Sequence, residues 1–206
     1  MTTLRVSVWR GGAEGRLQRY EVPRYPSQTV LDVVTHIQRR IDPTLAYRYA
    51  CRVGMCGSCA MTVNGAPRWT CRTHVDKVID GGRLQLGPLQ NLPVIKDLAA
   101  DMTRFFEKWQ QAKGVFAPTQ TRFEQAAPIK PDEPARIAID KAIECINYGI
   151  CYSACDTVRW DEDYLGPAAL NRAWTLINDP RDADNKNRLL AVIGKGGCQS
   201  CHTHES

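Results

Sequence analysis

Apolar and polar residues alternate over positions 3 to 9 and again over 17 to 22, on either side of the turn-prone run Gly11-Gly12-Ala13-Glu14-Gly15. A period of two around a glycine-rich break predicts a β-hairpin. The period then changes. Val30, Val33, Val34 and Ile37 share one face of a helix that Ser27 or Thr29 can cap, with Asp32 in the first turn and Asp42-Pro43 at the end. Ala60-Met61-Thr62-Val63, the turn signal Asn64-Gly65 and a return through Trp69 and Thr70 predict a second hairpin, with Leu84, Leu86 and Val94 completing a small sheet. From Lys96 to Lys113, Leu98, Met102, Phe105, Phe106 and Trp109 recur at helical steps. Residues 114 to 134 carry Pro118, Pro128, Pro131 and Pro134 without a period and read as an ordered linker wrapped over a surface.

The second half reads as helical. Pro134 stands near a helix start, Ile137 through Ile143 lead into cysteines, and Gly166-Pro167 opens a helix with Leu170, Ala173, Trp174 and Ile177 on one face. Asp179-Pro180 closes it, and a short helix over 186 to 193 stops at Gly194. The expected architecture is α+β: a sheet with one packed helix over residues 1–100, the β-grasp arrangement of plant-type ferredoxins, then a helical domain over 101–206.

The chemistry lies in the cysteines. Cys51, Cys56, Cys59 and Cys71 are separated by four, two and eleven residues, and Gly54 and Gly57 lie among them. The C-x4-C-x2-C run with a distant fourth cysteine is the plant-type [2Fe–2S] spacing. Glycine permits positive φ and close approach of backbone N–H groups to sulfur, so a short loop can wrap around two irons. Structural zinc is the main competitor, although zinc sites usually come as two separated C-x2-C knuckles; disulfides are a lesser one. A second group, Cys145, Cys151 and Cys155, follows the bacterial ferredoxin run C-x2-C-x2-C-x3-C-P except that Tyr148 replaces the second cysteine and Asp156 the proline.

Charge and length narrow the class. The net charge of +5 over 206 residues is spread rather than gathered with aromatics, which gives nucleic-acid binding no support. Nothing reaches the roughly 18 to 20 apolar residues of a membrane span, and no signal-peptide pattern opens the chain, so reduced intracellular thiols are expected. There is no dinucleotide glycine fingerprint and no evident acid–base or nucleophile pair, so electron conduction is expected rather than carbon chemistry.

Over essentially its whole length the chain resembles the iron–sulfur subunit of succinate dehydrogenase and fumarate reductase, the complex II family. The resemblance is carried by CRVGMCGSCAMTVNG with Cys71, by Leu92-Pro93-Val94-Ile95-Lys96-Asp97-Leu98, and by CINYGICYSAC with Gly166-Pro167-Ala168-Ala169, which are similar to the fumarate reductase branch. It implies a [2Fe–2S] cluster on Cys51, Cys56, Cys59 and Cys71. It further implies Cys145 and Cys151 as ligands of a [4Fe–4S] cluster, and Cys155 and Cys201 as ligands of a [3Fe–4S] cluster. Tyr148 occupies the missing-ligand position, where a phenolate or a water completes the [4Fe–4S] site, the cluster takes the three-iron form, or Tyr148 packs beside a cluster bound differently. The family pattern has two further cysteines after Cys201, and this sequence stops at Ser206, so it is either a fragment or a chain that has lost them. Cys198 is extra, as a substitute ligand or a plain thiol.

Trp160 and His202 fall where the succinate dehydrogenase branch places residues beside the quinone, and a histidine there can pass a proton. The resemblance implies as partners an FAD-containing flavoprotein, membrane anchor subunits and quinone, at the cytoplasmic face of the inner membrane. Two other readings stay open: a free-standing ferredoxin-like carrier or zinc-stabilised binding module, and a C-x-x-C-H haem attachment at Cys198 to His202, which the missing export signal disfavours.

Overall fold

The computed structural model describes residues 3–125 and 127–200. Contacts group the chain into two compact units: one holds the chain as far as Met102 together with Ile146–Ala154, the other Thr103–Cys145 and the chain from Cys155 on.

In the first unit, β1 (Thr3–Arg10) and β2 (Arg16–Pro23) pair antiparallel, with Leu4 opposite Val22 and Val6 opposite Tyr20. The alternation does its expected work, for Leu4, Val6, Val8, Tyr20 and Val22 are all buried. Helix α1 (Val30–His36) is capped by Thr29 and not by Ser27, whose positive φ of 59° places it in the turn before the helix. The Thr29 hydroxyl accepts from the Asp32 N–H and the Asp32 carboxylate accepts from the Thr29 N–H, a closed capping box. The helix runs on through a π turn over Ile37–Ile41 and ends at the extended Asp42. Strands β3 (Ala60–Val63) and β4 (Ala66–Trp69) turn at Asn64 and Gly65, both at positive φ. β5 (Arg83–Gly87) runs parallel to β1 and antiparallel to β3, giving the order β2-β1-β5-β3-β4. The apolar face of α1 packs on this sheet, joining Val30, Val33, Val34 and Ile37 to Leu4, Val6, Val8, Leu84 and Leu86. A mixed sheet carrying one helix is what the first half of the sequence predicts.

Two expectations fail just beyond it. Val94 does not extend the main sheet: β6 (Val94–Lys96) pairs with β7 (Ala99–Ala100) in a separate ribbon. The helix expected from Lys96 begins only as α2 (Thr103–Gln111). Asp97 explains both. Its carboxylate accepts the N–H groups of Gly11 and Ala46, each at 2.7 Å, and it takes a left-handed φ of 54°, which turns the chain where a helix would have to continue. Leu98 accordingly packs in the core of the sheet unit.

Helices α3 (Pro134–Ala138), α5 (Asp156–Trp160), α6 (Pro167–Ile177) and α7 (Asn185–Val192) belong with α2 to the second unit, while α4 (Ile150–Ala154) belongs to the first. The segment from Ile137 to Ile143 is not one helix, since α3 ends at Ala138 and a separate 3-10 turn covers Ala142–Glu144. Gly166, at φ 90°, and Pro167 open α6 as the sequence predicts. The second core gathers Ala112, Leu165, Ala169, Ala173 and Val192. Trp174, expected on the apolar face of α6, is instead about half exposed at 48%, and its indole N–H donates to the Ala138 carbonyl. The linker is ordered against this unit: the Ala117 N–H donates to Asp182, and the Thr119 N–H to the Arg181 carbonyl.

Candidate metal centre

The loop between α1 and β3 is built for sulfur. Arg52, Gly54 and Gly57 all take positive φ, so the chain reverses direction repeatedly and turns its N–H groups inward. Three of them, from Val53 (3.4 Å), Met55 (3.2 Å) and Cys56 (3.3 Å), converge on the Cys51 Sγ. The Cys51 N–H in turn donates to the Cys56 Sγ at 3.4 Å. These donors stabilise negative charge on sulfur.

The four thiols fall into two pairs, Cys51 and Cys56 reaching the surface and Cys59 and Cys71 buried. Cys56 is exposed, and its pKa is drawn down to about 6 by the N–H of Cys51 and then by the hydroxyl and N–H of Ser58. Cys71 is pushed up to about 11 by burial and then by a hydrogen bond shared with Cys59. Cys71 also feels the N–H of Gly54 and the charge of Cys51, which places it within reach of the loop. Cys59 and Cys71 are buried against Leu31, with Tyr47 and Tyr49 partly covering them. The elements hold this geometry: the Thr70 hydroxyl donates to the Cys59 carbonyl at 2.7 Å, the Leu31 N–H to the Thr70 carbonyl, and Arg52 pairs with Asp32 of α1 at 3.0 Å.

Four ligands of one tetrahedral ion crowd around a point, whereas four ligands of two bridged irons divide two and two. The pairing of Cys51 with Cys56 and of Cys59 with Cys71 fits the second case. The donor set, its inward N–H groups and its half-buried, half-exposed placement fit a [2Fe–2S] cluster.

The chain from 3 to 107 matches the family model of the 2Fe-2S iron-sulfur cluster binding domain. It is 34% identical to the fumarate reductase iron-sulfur subunit of Escherichia coli over 88% of this chain and 73% of that one. The corresponding subunit of Mycobacterium tuberculosis is 37% identical over 88% of this chain and 74% of its own. This chain belongs to the fumarate reductase and succinate dehydrogenase iron–sulfur subunit family. The mitochondrial succinate dehydrogenase [ubiquinone] iron-sulfur subunit 1 of Oryza sativa is 34% identical over 84% of this chain and 62% of that one. The fold matches a chain of the Mycobacterium smegmatis Sdh1 complex in the apo form with a TM-score of 0.79 at 27% identity, covering 91% of this chain and 80% of that chain.

The remaining sites of the family pattern are spread over both units. Cys151 lies on α4 in the first unit, exposed at the surface, while Cys145 and Cys155 lie in the second, Cys145 exposed and Cys155 partly covered. Cys198 is exposed, and its N–H donates to the Val192 carbonyl. Trp160 closes α5 with 80% of its surface exposed and Arg159 over its ring. Cys201 and His202 lie outside the described residues. The sequence does not point to Trp69, Arg72 or Ser58, which line the loop. Their signal is only their nearness to Cys71 and Cys59 along the chain.

Proposed function

We propose that this chain is the electron-conducting subunit of a succinate:quinone or quinol:fumarate oxidoreductase, joining the FAD of a partner flavoprotein to quinone. The observation that carries the reading is the Cys51 sulfur receiving three backbone N–H groups in a loop whose thiols divide two and two, within a chain that follows its family across both units.

Cys51, Cys56, Cys59 and Cys71 hold a [2Fe–2S] cluster, which supplies one-electron chemistry with little ligand movement and so couples to a two-electron flavin. The protein's part is electrostatic. Cys51 and its N–H donors temper the added negative charge on the exposed side, while Leu31, Tyr47 and Tyr49 keep water from the Cys59 and Cys71 side. The exposed Val53 and Met55 at the loop tip give a partner an apolar surface beside the thiols. By family position, Cys145 and Cys151 serve a [4Fe–4S] cluster, Cys155 and Cys201 a [3Fe–4S] cluster, and Trp160 and His202 the quinone. No helix among the described residues is long and apolar enough to cross a membrane, so in this reading anchor subunits hold the chain at the cytoplasmic face of the inner membrane.

Stepwise reductive EPR of the anaerobically purified complex tests this. A [2Fe–2S] signal followed by signals of further clusters is expected, and colourless protein without acid-labile sulfide overturns the proposal. Loss of the first signal alone on Cys59→Ser locates that cluster.

A further inference from the structure

We propose that Tyr148, which stands where the bacterial ferredoxin run has a cysteine, is a positioning residue for the first cluster's loop and not an iron ligand. The inference rests on the [2Fe–2S] reading above and concerns what holds that loop in shape.

Asn147 (φ 54°) and Gly149 (φ 75°) flank Tyr148 with left-handed backbone, so the chain folds sharply around this one side chain. The fold sets it against the cysteine loop. A Cβ added to Gly57 would collide with the Tyr148 Cβ and lie 2.9 Å from its Cα, so the two backbones touch where the loop must take positive φ. The Tyr148 ring meets Trp69 edge to face, with centroids 4.9 Å apart at 76°. Trp69 packs beside the other loop glycine, its Cε3 3.7 Å from where a Cβ on Gly54 would stand. The aromatic pair therefore reaches both glycines on which the wrap of the loop depends, with the Arg72 side chain closer still to Gly54, its Cγ 2.9 Å from where that Cβ would stand.

The segment that carries Tyr148 is fastened to the same unit. Gly149 lies against Met102 and Leu89, Asn91 donates to the carbonyls of Tyr152 and Ser153 at 3.2 Å each, and α4 packs on β4. A cysteine at 148 has no ring to meet Trp69 and would open that flank to water. Solvent exposure is one of the determinants of a cluster's potential, and water favours the more negative, reduced form. Tyr148 thus keeps the potential of the first cluster low by keeping its Trp69 side dry.

The test is a redox titration of the [2Fe–2S] EPR signal, with iron counted per chain, in the intact complex carrying Y148F, Y148L or Y148A. Y148F is expected to match wild type in potential and in iron, because the ring does the work. Y148A is expected to raise the midpoint potential by on the order of tenfold in the reduction equilibrium, about 59 mV for one electron. Y148L, which keeps most of the volume, is expected to fall between and serves if the alanine variant does not assemble. Iron lost from Y148F would make the phenol a ligand and overturn the proposal, as would an unmoved potential in Y148L and Y148A. A wild-type complex without a [2Fe–2S] signal would instead sink the functional reading beneath it.

Discussion

Arg188 and Asp182 meet at 2.7 Å with both side chains fully buried, at the point where the linker and α7 come together in the second unit. Asp182 is well supplied: burial pushes its carboxyl up, but the bond from Arg188 and then those from the Ala117 and Asp184 N–H groups hold it below the usual range. Arg188 is not: its Nε and Nη1 are buried without a protein partner. Removing the carboxylate should therefore cost more than removing the guanidinium. D182A is expected to destabilise the protein by about 3–5 kcal/mol, the cost of a buried charge left alone. R188M should cost less, because Asp182 keeps its backbone donors. Urea unfolding of the two variants checks the order.

Gly57 offers a second comparison. At φ 68° an alanine pays about 1–2 kcal/mol for left-handed backbone, and its methyl group would also strike Tyr148. Gly65, at φ 83°, has open space around it, so G65A pays the backbone term alone. G57A should lose most of its cluster on purification while G65A keeps it, read from visible absorbance per chain.

Much of this was legible in the sequence, and the misses fall where contacts distant along the chain decide. The hairpin, α1 and the cysteine loop rest on local period, capping residues and spacing, all of which are written within a few residues. The late start of α2 depends on Asp97 being captured by Gly11 and Ala46, which lie 86 and 51 residues away in sequence. Placing Tyr148 on Gly57 and Trp69 likewise needs the tertiary fold. The spacing puts Trp174 on the apolar stripe of α6, yet alanines let the second core pack closely and leave the indole outside. Periodicity finds a stripe on a helix and cannot tell which member of it faces the neighbour.

The capping box at the start of α1 sets up a third test. Thr29 and Asp32 satisfy each other's N–H groups, and Asp32 also holds Arg52 of the cysteine loop. T29A is expected to lose about 1 kcal/mol of stability. D32N keeps an acceptor for the cap but gives up the ion pair, which is exposed enough that its loss should cost well under 1 kcal/mol. Thermal unfolding at matched ionic strength separates the two.

The last test is set by pH. The Tyr20 hydroxyl donates to Asp42 at 2.8 Å and accepts from Arg10. Burial, and then the bond to Asp42, raise its pKa from 10.0 to about 12, with Arg10 pulling the other way. The folded chain holds this proton more tightly than the unfolded chain does. The contribution to stability is therefore fully present below pH 10.0 and is lost as pH climbs toward about 12. Its size is on the order of 2–3 kcal/mol, reduced by whatever burial the unfolded chain keeps. In Y20F that alkaline loss should shrink, while stability at neutral pH falls by only about 1 kcal/mol for the missing hydrogen bond. Subtracting the tyrosinate absorbance of Y20F from that of wild type isolates this residue, and an ionisation midpoint at the ordinary tyrosine value would show that neither burial nor Asp42 holds the proton.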